Sequence, residues 1–322
     1  MILRGIDFGY VLTSAGARNF FGEGYWFHRL WPWSMMDFTG STFVTKTITL
    51  NARPGNMPLC QDQLSPREFF PKCVKVYWRK GLVLNAVGLS GPGAKWLFAA
   101  GTWQKIESPF FISFMAVSAE LKERREELWQ FVELFSRELS KFKAKVGLEI
   151  NFSCPNVGLK SEKLLDEVQE ALTIAARLNI PLVPNFNPLV SPESLKTICE
   201  HPGCDAVSVA NTIPWGKLPE RIDWVGLFGT DVSPLAKFGG GGLSGWPLLP
   251  IVAETISEAR KLGVKKPTIA GGGIFSIQAA DKLIAAGASA IKFGTVCILR
   301  PWRVKRIIEY INQKLGELQD WE

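Results

Sequence analysis

Cys154 is the residue around which the chemistry of this chain gathers. It lies in residues 146–158, VGLEINFSCPNVG, whose first five residues have the apolar and β-branched mix of a buried strand. That strand runs straight into Asn151, Ser153, Cys154, Pro155 and Asn156. An amide side chain offers both a donor and an acceptor, so a set of amides suits a flat heterocycle with alternating N–H and C=O groups. A thiol on backbone stiffened by the neighbouring proline ring can take a proton once it is a thiolate. A lone cysteine is more often a small core filler. Five polar or special residues in the six positions of N-x-S-C-P-N exceed what packing requires.

Other segments carry groups that could work beside it. Residues 41–50, STFVTKTITL, read as a strand, and Lys46 lies within it. A lysine in such a strand is costly unless its ammonium reaches a polar cleft or water. Residues 205–211, DAVSVAN, form another strand that ends in Asn211-Thr212. Residues 8–13 form a first strand ending in Ser14, Ala15 and Gly16, small enough for a flat ligand to approach the backbone or for a plain tight turn. Three late glycine-rich loops follow, containing Ser244 and Gly245, then Gly272 and Gly273, then Gly294 and Thr295. Backbone N–H groups approach a phosphate where no Cβ intervenes, and three such loops late in a chain of this pattern suit that task.

The elements that must position these groups alternate in type. Strands are expected near residues 9, 43, 112, 148, 183, 207, 269 and 291. Helices are expected over 120–139, 161–178, 192–199, from Leu243-Ser244-Gly245 to Leu262, over 276–286 and over 301–315. Eight strands alternating with helices close an α/β TIM barrel, a (β/α)8 single domain over residues 1–322, with insertions after strands 1, 2 and 6. The first insertion, residues 20–38, holds three Trp and five Phe or Tyr without a helical or strand period. It is expected to cover one end of the barrel, the alternative being an exposed patch for a partner, a quinone or a membrane surface.

Composition narrows the class. The 322 residues are 47% hydrophobic and 21% charged, enough for a large core. The net charge of +7 comes from scattered Lys and Arg, with no basic stripe interleaved with aromatics, so nucleic acid is not expected. A mildly basic protein suits an anionic substrate and a phosphate-bearing cofactor. The six cysteines show no C-x-x-C spacing and only two histidines occur, which leaves a disulfide framework, a zinc site or an iron–sulfur cluster unsupported. The absence of a signal-like start or a membrane-length apolar run points to a cytoplasmic protein.

These motifs, in this order, resemble the class 1 dihydroorotate dehydrogenases, FMN-dependent barrel enzymes. NFSCPNVG is similar to the family's N-L-S-C-P-N loop, whose cysteine is the catalytic base. Thr45-Lys46-Thr47 resembles its T-K-[ST] strand, in which the lysine touches flavin and substrate, and Arg53-Pro54-Gly55-Asn56 resembles the R-E-G-N turn that follows. Asn85-Ala86-Val87-Gly88-Leu89 resembles N-S-M-G-L, which holds the carboxylate side of the substrate. The resemblance implies oxidation of dihydroorotate to orotate in pyrimidine biosynthesis, with Cys154 removing the C5 proton while hydride passes from C6 to flavin N5. By the same resemblance Asn85, Val87, Gly88, Leu89, Asn151, Ser153, Asn156, Asn211 and Thr212 hold the substrate. Ser14, Ala15, Gly16, Lys46, Thr47, Ser113, Asn151, Asn185, Ser244, Gly245, Gly272, Gly273, Gly294 and Thr295 hold FMN.

The chain departs from that pattern in one place. Family members carry a lysine in the strand that ends K-L-[SP]-P, against flavin N1 and O2, where this chain has Asn185-Phe186-Asn187-Pro188. An amide donates a hydrogen bond but cannot balance an anionic reduced flavin, so a lower flavin potential and slower chemistry are expected. Two other readings stay open: a relative acting on dihydrouracil or dihydrothymine, and a catalytically weak flavoprotein serving as a partner subunit. No early G-x-G-x-x-G follows a strand, so no nicotinamide domain is expected. The electron acceptor (fumarate, a partner protein or oxygen) and a homodimer are left open as well.

Overall fold

Alternation of apolar side chains with period two builds the centre of the molecule, and amphipathic helices cover it. The computed structural model describes residues 1–152 and 161–319. The chain opens with a hairpin of β1 (Ile2–Leu3) and β2 (Ile6–Asp7), then enters the barrel at β3 (Val11–Thr13). After the two insertion strands β4 (Val74–Tyr77) and β5 (Leu82–Asn85) and the short helix α1 (Ala94–Ala99) come β6 (Phe110–Phe114) and α2 (Leu121–Glu138). Next are β7 (Val146–Asn151), α3 (Ser161–Ala175), β8 (Leu182–Phe186), α4 (Pro192–Glu200) and β9 (Val207–Val209). A second insertion supplies β10 (Ile213–Pro214), α5 (Trp224–Phe228) and β11 (Gly242–Gly245). The chain ends with α6 (Leu248–Lys261), β12 (Thr268–Gly271), α7 (Ile277–Ala285), β13 (Ala290–Phe293), α8 (Thr295–Leu299) and α9 (Val304–Gln319).

Seven of these strands form one parallel sheet in the order β3-β13-β12-β9-β8-β7-β6. Residues 42–48 fill the gap between its two edges through single bridges, Leu12 with Thr42, Val44 with Phe111 and Ile48 with Phe114, so the sheet closes. The sequence predicts a continuous strand at 41–50, and the bridges replace it for a chemical reason. Threonine hydroxyls take over acceptor positions, with the Val44 N–H donating to Thr13 Oγ1 (3.2 Å) and the Ser113 N–H to Thr45 Oγ1 (3.0 Å).

The two insertions meet in a separate antiparallel sheet, β10-β11-β5-β4, with Gly242 opposite Asn85 and Gly245 opposite Leu82. The expected helix start at Leu243-Ser244-Gly245 is therefore corrected: those residues are strand, and the helix begins at Leu248. The GLSG run finds a ladder partner in β5, and Pro247, with φ already near helical, starts the helix one turn later.

Inside the barrel the strands change character along their length. Phe8, Leu12, Val44, Phe111, Val183, Ala206, Ile269 and Ala290 form a closed apolar cluster capped by Met1 and Leu3. Gly147 has no Cβ because one would lie 2.3 Å from the Phe111 ring, so the glycine makes room for that ring. Two residues further along the same strands the inward side chains become Ser113, Glu149, Asn185, Ser208 and Lys292, all buried. Outside, α2 lays Leu128, Phe131, Val132 and Phe135 on the sheet, with Phe131 stacked 3.9 Å from Phe114.

Candidate active site

The polar end of the barrel interior is one connected network. Glu149 and Asn151 alternate inward on β7, and Glu149 pairs with Lys292 of β13, which stands across the barrel. The other carboxylate oxygen of Glu149 accepts from Ser113 Oγ (3.0 Å). Asn151 Nδ2 donates to Ser113 Oγ (2.7 Å) and to Thr47 Oγ1 (2.9 Å), and the two hydroxyls lie 3.0 Å apart. Asn151 Oδ1 accepts from Asn185 Nδ2 (2.5 Å) and from Asn211 Nδ2 (3.4 Å). Thr47, Ser113, Asn151, Asn185 and Asn211, all singled out from the sequence, are thus brought together. Sequence reasoning passes over Glu149 and Lys292, although a charged residue inside each apolar alternation, VGLEIN and AIKF, is the signal that marks them.

Lys46, the chain neighbour of Thr47, carries an unsatisfied charge. It is 7% exposed, and among the described residues its Nζ has no hydrogen-bond partner, while the Phe20 ring lies 4.6 Å away. Burial pushes its pKa down from 10.5 to about 8, against the pull of Cys73 and Glu23 toward the charged form. The Glu23 carboxyl is itself raised by burial, although backbone N–H groups oppose the rise. Buried and without a hydrogen-bond partner among the described residues are the Lys46 ammonium and, in the polar layer of the barrel, Asn185 Oδ1 and Ser208 Oγ.

The glycines hold close approaches between loops. A Cβ on Gly245 would lie 2.3 Å from the Gly81 carbonyl oxygen, and one on Gly273 would lie 2.9 Å from that of Gly245. Gly272 has φ +138 and faces Leu248, while Gly294 abuts Ser14. The second and third expected loops therefore sit at the ends of β12 and β13, and Ser244-Gly245 sits against the first of them. At the start of the chain, the Ser14 N–H donates to Phe293 O (2.7 Å), Ala15 follows it, and the Gly16 carbonyl accepts from Tyr25 Oη (2.7 Å). That tyrosine belongs to the aromatic insertion, which forms short 3-10 turns at Trp26–Arg29 and Trp33–Met35. Its rings contact those of the next insertion, Trp26 against Phe69 and Trp33 against Trp78, while Trp33 Nε1 donates to Ile298 O (3.1 Å). The segment thus lies over the strand ends, and Trp31 within it is 79% exposed.

The 85–89 segment leaves the small sheet, not the barrel, at the end of β5. Asn85 pairs through its backbone with Gly242, whose Cβ position is 2.1 Å from Thr212 Oγ1, so Asn85 and Thr212 are near neighbours. Val87, Gly88 and Leu89 form a left-handed turn, φ +70 at Gly88 and +60 at Leu89. The 53–56 turn clasps it, with the Asn56 N–H donating to Val87 O (2.8 Å) and Arg53 Nε to Gly88 O (3.0 Å). Ser153, Cys154 and Asn156 lie outside the described residues. Among the described residues there is no cluster of metal-ligating side chains, and no helix is long and apolar enough to cross a membrane.

A closed parallel barrel with a polar, charge-bearing interior at the carboxyl ends of its strands defines an α/β-barrel enzyme, and comparison with known proteins gives the family. The family model described as dihydroorotate dehydrogenase matches residues 31–315. This chain belongs to the dihydroorotate dehydrogenase family and is an oxidoreductase acting on a CH–CH bond. It is 29% identical over 315 residues to the dihydroorotate dehydrogenase B (NAD(+)) catalytic subunit of Thermodesulfovibrio yellowstonii, covering 95% of this chain and 90% of that one. It is 31% identical over 283 residues to the same-named subunit of Caldicellulosiruptor saccharolyticus, covering 84% and 80%. Among solved structures, the ferulenol complex of the Eimeria tenella enzyme superposes with a TM-score of 0.66 at 19% identity, over 99% of this chain and 85% of that one. That likeness is one of fold.

Proposed function

We propose that this protein oxidises dihydroorotate to orotate, with FMN as its cofactor and Cys154 as the base. The observation that supports the reading is the set of buried polar atoms without partners, Lys46 Nζ on the 42–48 segment and Asn185 Oδ1 and Ser208 Oγ on the strands that hold the Asn151 network. They are suited to a polar, anion-bearing ring system. The FMN set of this reading adds the glycines at 245, 272, 273 and 294, where a side chain would collide with a neighbouring loop, and Ser14 at the end of β3. FMN supplies the hydride acceptor. The chain's own residues orient the substrate and move the proton. Cys154 as thiolate takes the C5 proton; a thiol has an unperturbed pKa of about 8.5, which a neighbouring ammonium would lower. Asn211, Thr212 and the 85–89 segment hold the ring and its carboxylate, offering donors to the charge that develops as the proton leaves.

The relatives are named as catalytic subunits of an NAD(+)-linked enzyme, which favours a partner protein as the electron acceptor over fumarate or oxygen. Anaerobic mixing tests the function directly. The purified protein is expected to be yellow and to bleach on adding dihydroorotate, and dihydrouracil at the same concentration is expected to leave it oxidised. The Cys154→Ala variant should keep the colour and bleach about 10²–10⁴-fold more slowly, the range a positioned base supplies. A colourless protein that takes up no added FMN would end this reading.

A further inference from the structure

The aromatic insertion carries a surface that the proposed reaction does not use. Its rings join those of the next insertion in one unbroken series, Phe70 to Phe69 (4.6 Å), Phe69 to Trp26 (3.7 Å), then through Phe27 to Trp33 and on to Trp78 (5.9 Å). The chain around the start of α9 is tied to the same series. Trp33 Nε1 donates to Ile298 O (3.1 Å), Arg300 Nη2 donates to Trp78 O (3.3 Å), and Asp37 pairs with Lys305 (3.3 Å). On this base large apolar side chains stand in water. Trp31 and Phe70 are 79% and 80% exposed, and Leu30, Met35, Phe69 and Trp302 are about half exposed. A single exposed apolar residue is ordinary, whereas a contiguous group marks an interaction site.

Cations scattered along the chain gather on the same face. Residues 20–38, 67–80 and 300–306 carry ten Lys or Arg against three Asp or Glu, a surplus of seven, which is the net charge of the whole chain. Two of those acids already have lysine partners within these segments, Glu68 with Lys72 (3.4 Å) and Asp37 with Lys305, and the third, Glu23, accepts from the Phe21 N–H (2.8 Å). The cations next to the exposed rings, Arg29, Arg67, Arg79 and Arg303, have no acidic partner among the described residues.

The structure assigns this face to the surface of an anionic phospholipid bilayer, on which the protein lies without spanning it. Tryptophan rings favour the boundary between lipid and water, and the Arg and Lys beside them are drawn to anionic headgroups. Other occupants suit the face less. A second copy would bring two surfaces of the same charge together, and these repel. A nucleic acid stacks its bases on rings, which leaves Leu30 and Met35 without a role. A rigid protein partner needs a pocket shaped for each protruding ring, whereas a fluid interface takes rings at any spacing.

Vesicle co-sedimentation of the full chain tests it. Vesicles of phosphatidylcholine with one third phosphatidylglycerol should retain the protein at low salt. Vesicles of phosphatidylcholine alone should bind it at least about 10-fold more weakly, since the attraction between charges is then lost. Trp31→Ser/Phe70→Ser and Arg67→Ser/Arg79→Ser should each weaken binding to the anionic vesicles about 10-fold or more. Lys122→Ser/Lys196→Ser, which removes two exposed lysines from α2 and α4, should stay within about 2-fold of the wild type. All six side chains are exposed, so the variants should melt with the wild type and the comparison holds. No retention by the anionic vesicles at low salt would overturn the proposal. So would an equal loss in Lys122→Ser/Lys196→Ser, which would make the attraction a property of net charge alone. Capture by a duplex oligonucleotide, or self-association, that disappears in Trp31→Ser/Phe70→Ser while vesicles retain nothing would give the face to that partner instead.

Discussion

The two ends of the barrel interior are built from the same strands and obey opposite rules. At one end Phe111, Val183, Ala206, Ile269 and Ala290 close a dry cluster under the hairpin that holds Met1 and Leu3. One inward step along, Ser113, Glu149, Asn185, Ser208 and Lys292 replace them. The dry end gains from every buried CH₂, about 0.8 kcal/mol each. The polar end forgoes that gain, and its buried groups hold together only because almost all of them have partners. The lesson is a division of labour: the first layer supplies stability, and the second gives up some of it to keep atoms in readiness.

Breaking each layer should give effects of different size and sign. Phe111 lies 4.3 Å from Phe8 and fills the space that Gly147 leaves, so Phe111→Ala should cost about 3–5 kcal/mol in urea unfolding, with the flavin content of the folded protein unchanged. Loss of flavin in the protein that remains folded would show that the layers are not separable. Lys46→Met should act in the other direction, raising stability by about 1–3 kcal/mol while weakening the binding of an anionic ligand. The sign follows from burial, which lowers the folded pKa to about 8 from 10.5. Between those values the unfolded chain binds more protons than the folded one, so stability rises with pH through that window. Below about pH 8 both states hold the proton and the cost of the buried ammonium is fully present. Melting curves from pH 7 to 10.5 should slope upward for the wild type and lose that slope in Lys46→Met; parallel slopes would remove Lys46 as the cause. The smallest effect belongs to Thr47→Val, which deletes one hydroxyl of the network at a cost of about 1 kcal/mol in thermal unfolding.

Much of this is legible from residues in a row. The strands around Ile112, Leu148, Val183, Val207, Ile269 and Ile291 announce themselves as short apolar runs between helical stretches, because a strand buried on both faces has few other compositions available. Lys46 stands out since an ammonium in an apolar strand needs a reason. The 41–50 segment is harder, because its threonines favour a strand by propensity while their hydroxyls compete for the ladder itself. Ser244 and Gly245 belong to a different element from the one their local spacing predicts. The strand they join lies far earlier in the chain, and Ser244 Oγ donates to Val83 O across 161 positions.

What the amino-acid order determined by itself is the period: which segments are the buried strands of the parallel sheet, and where helices alternate with them. What the tertiary structure alone decided is pairing across the axis. Glu149 and Lys292 are separated by 143 positions, and neither predicts the other. Closing the barrel sets them face to face, and Ser113, which donates to Glu149, ties that pair to Asn151 and Asn185. Local sequence carries the inward or outward sense of a residue because the backbone repeats every two positions. It carries no record of the opposite wall, which is placed by closure of the whole sheet.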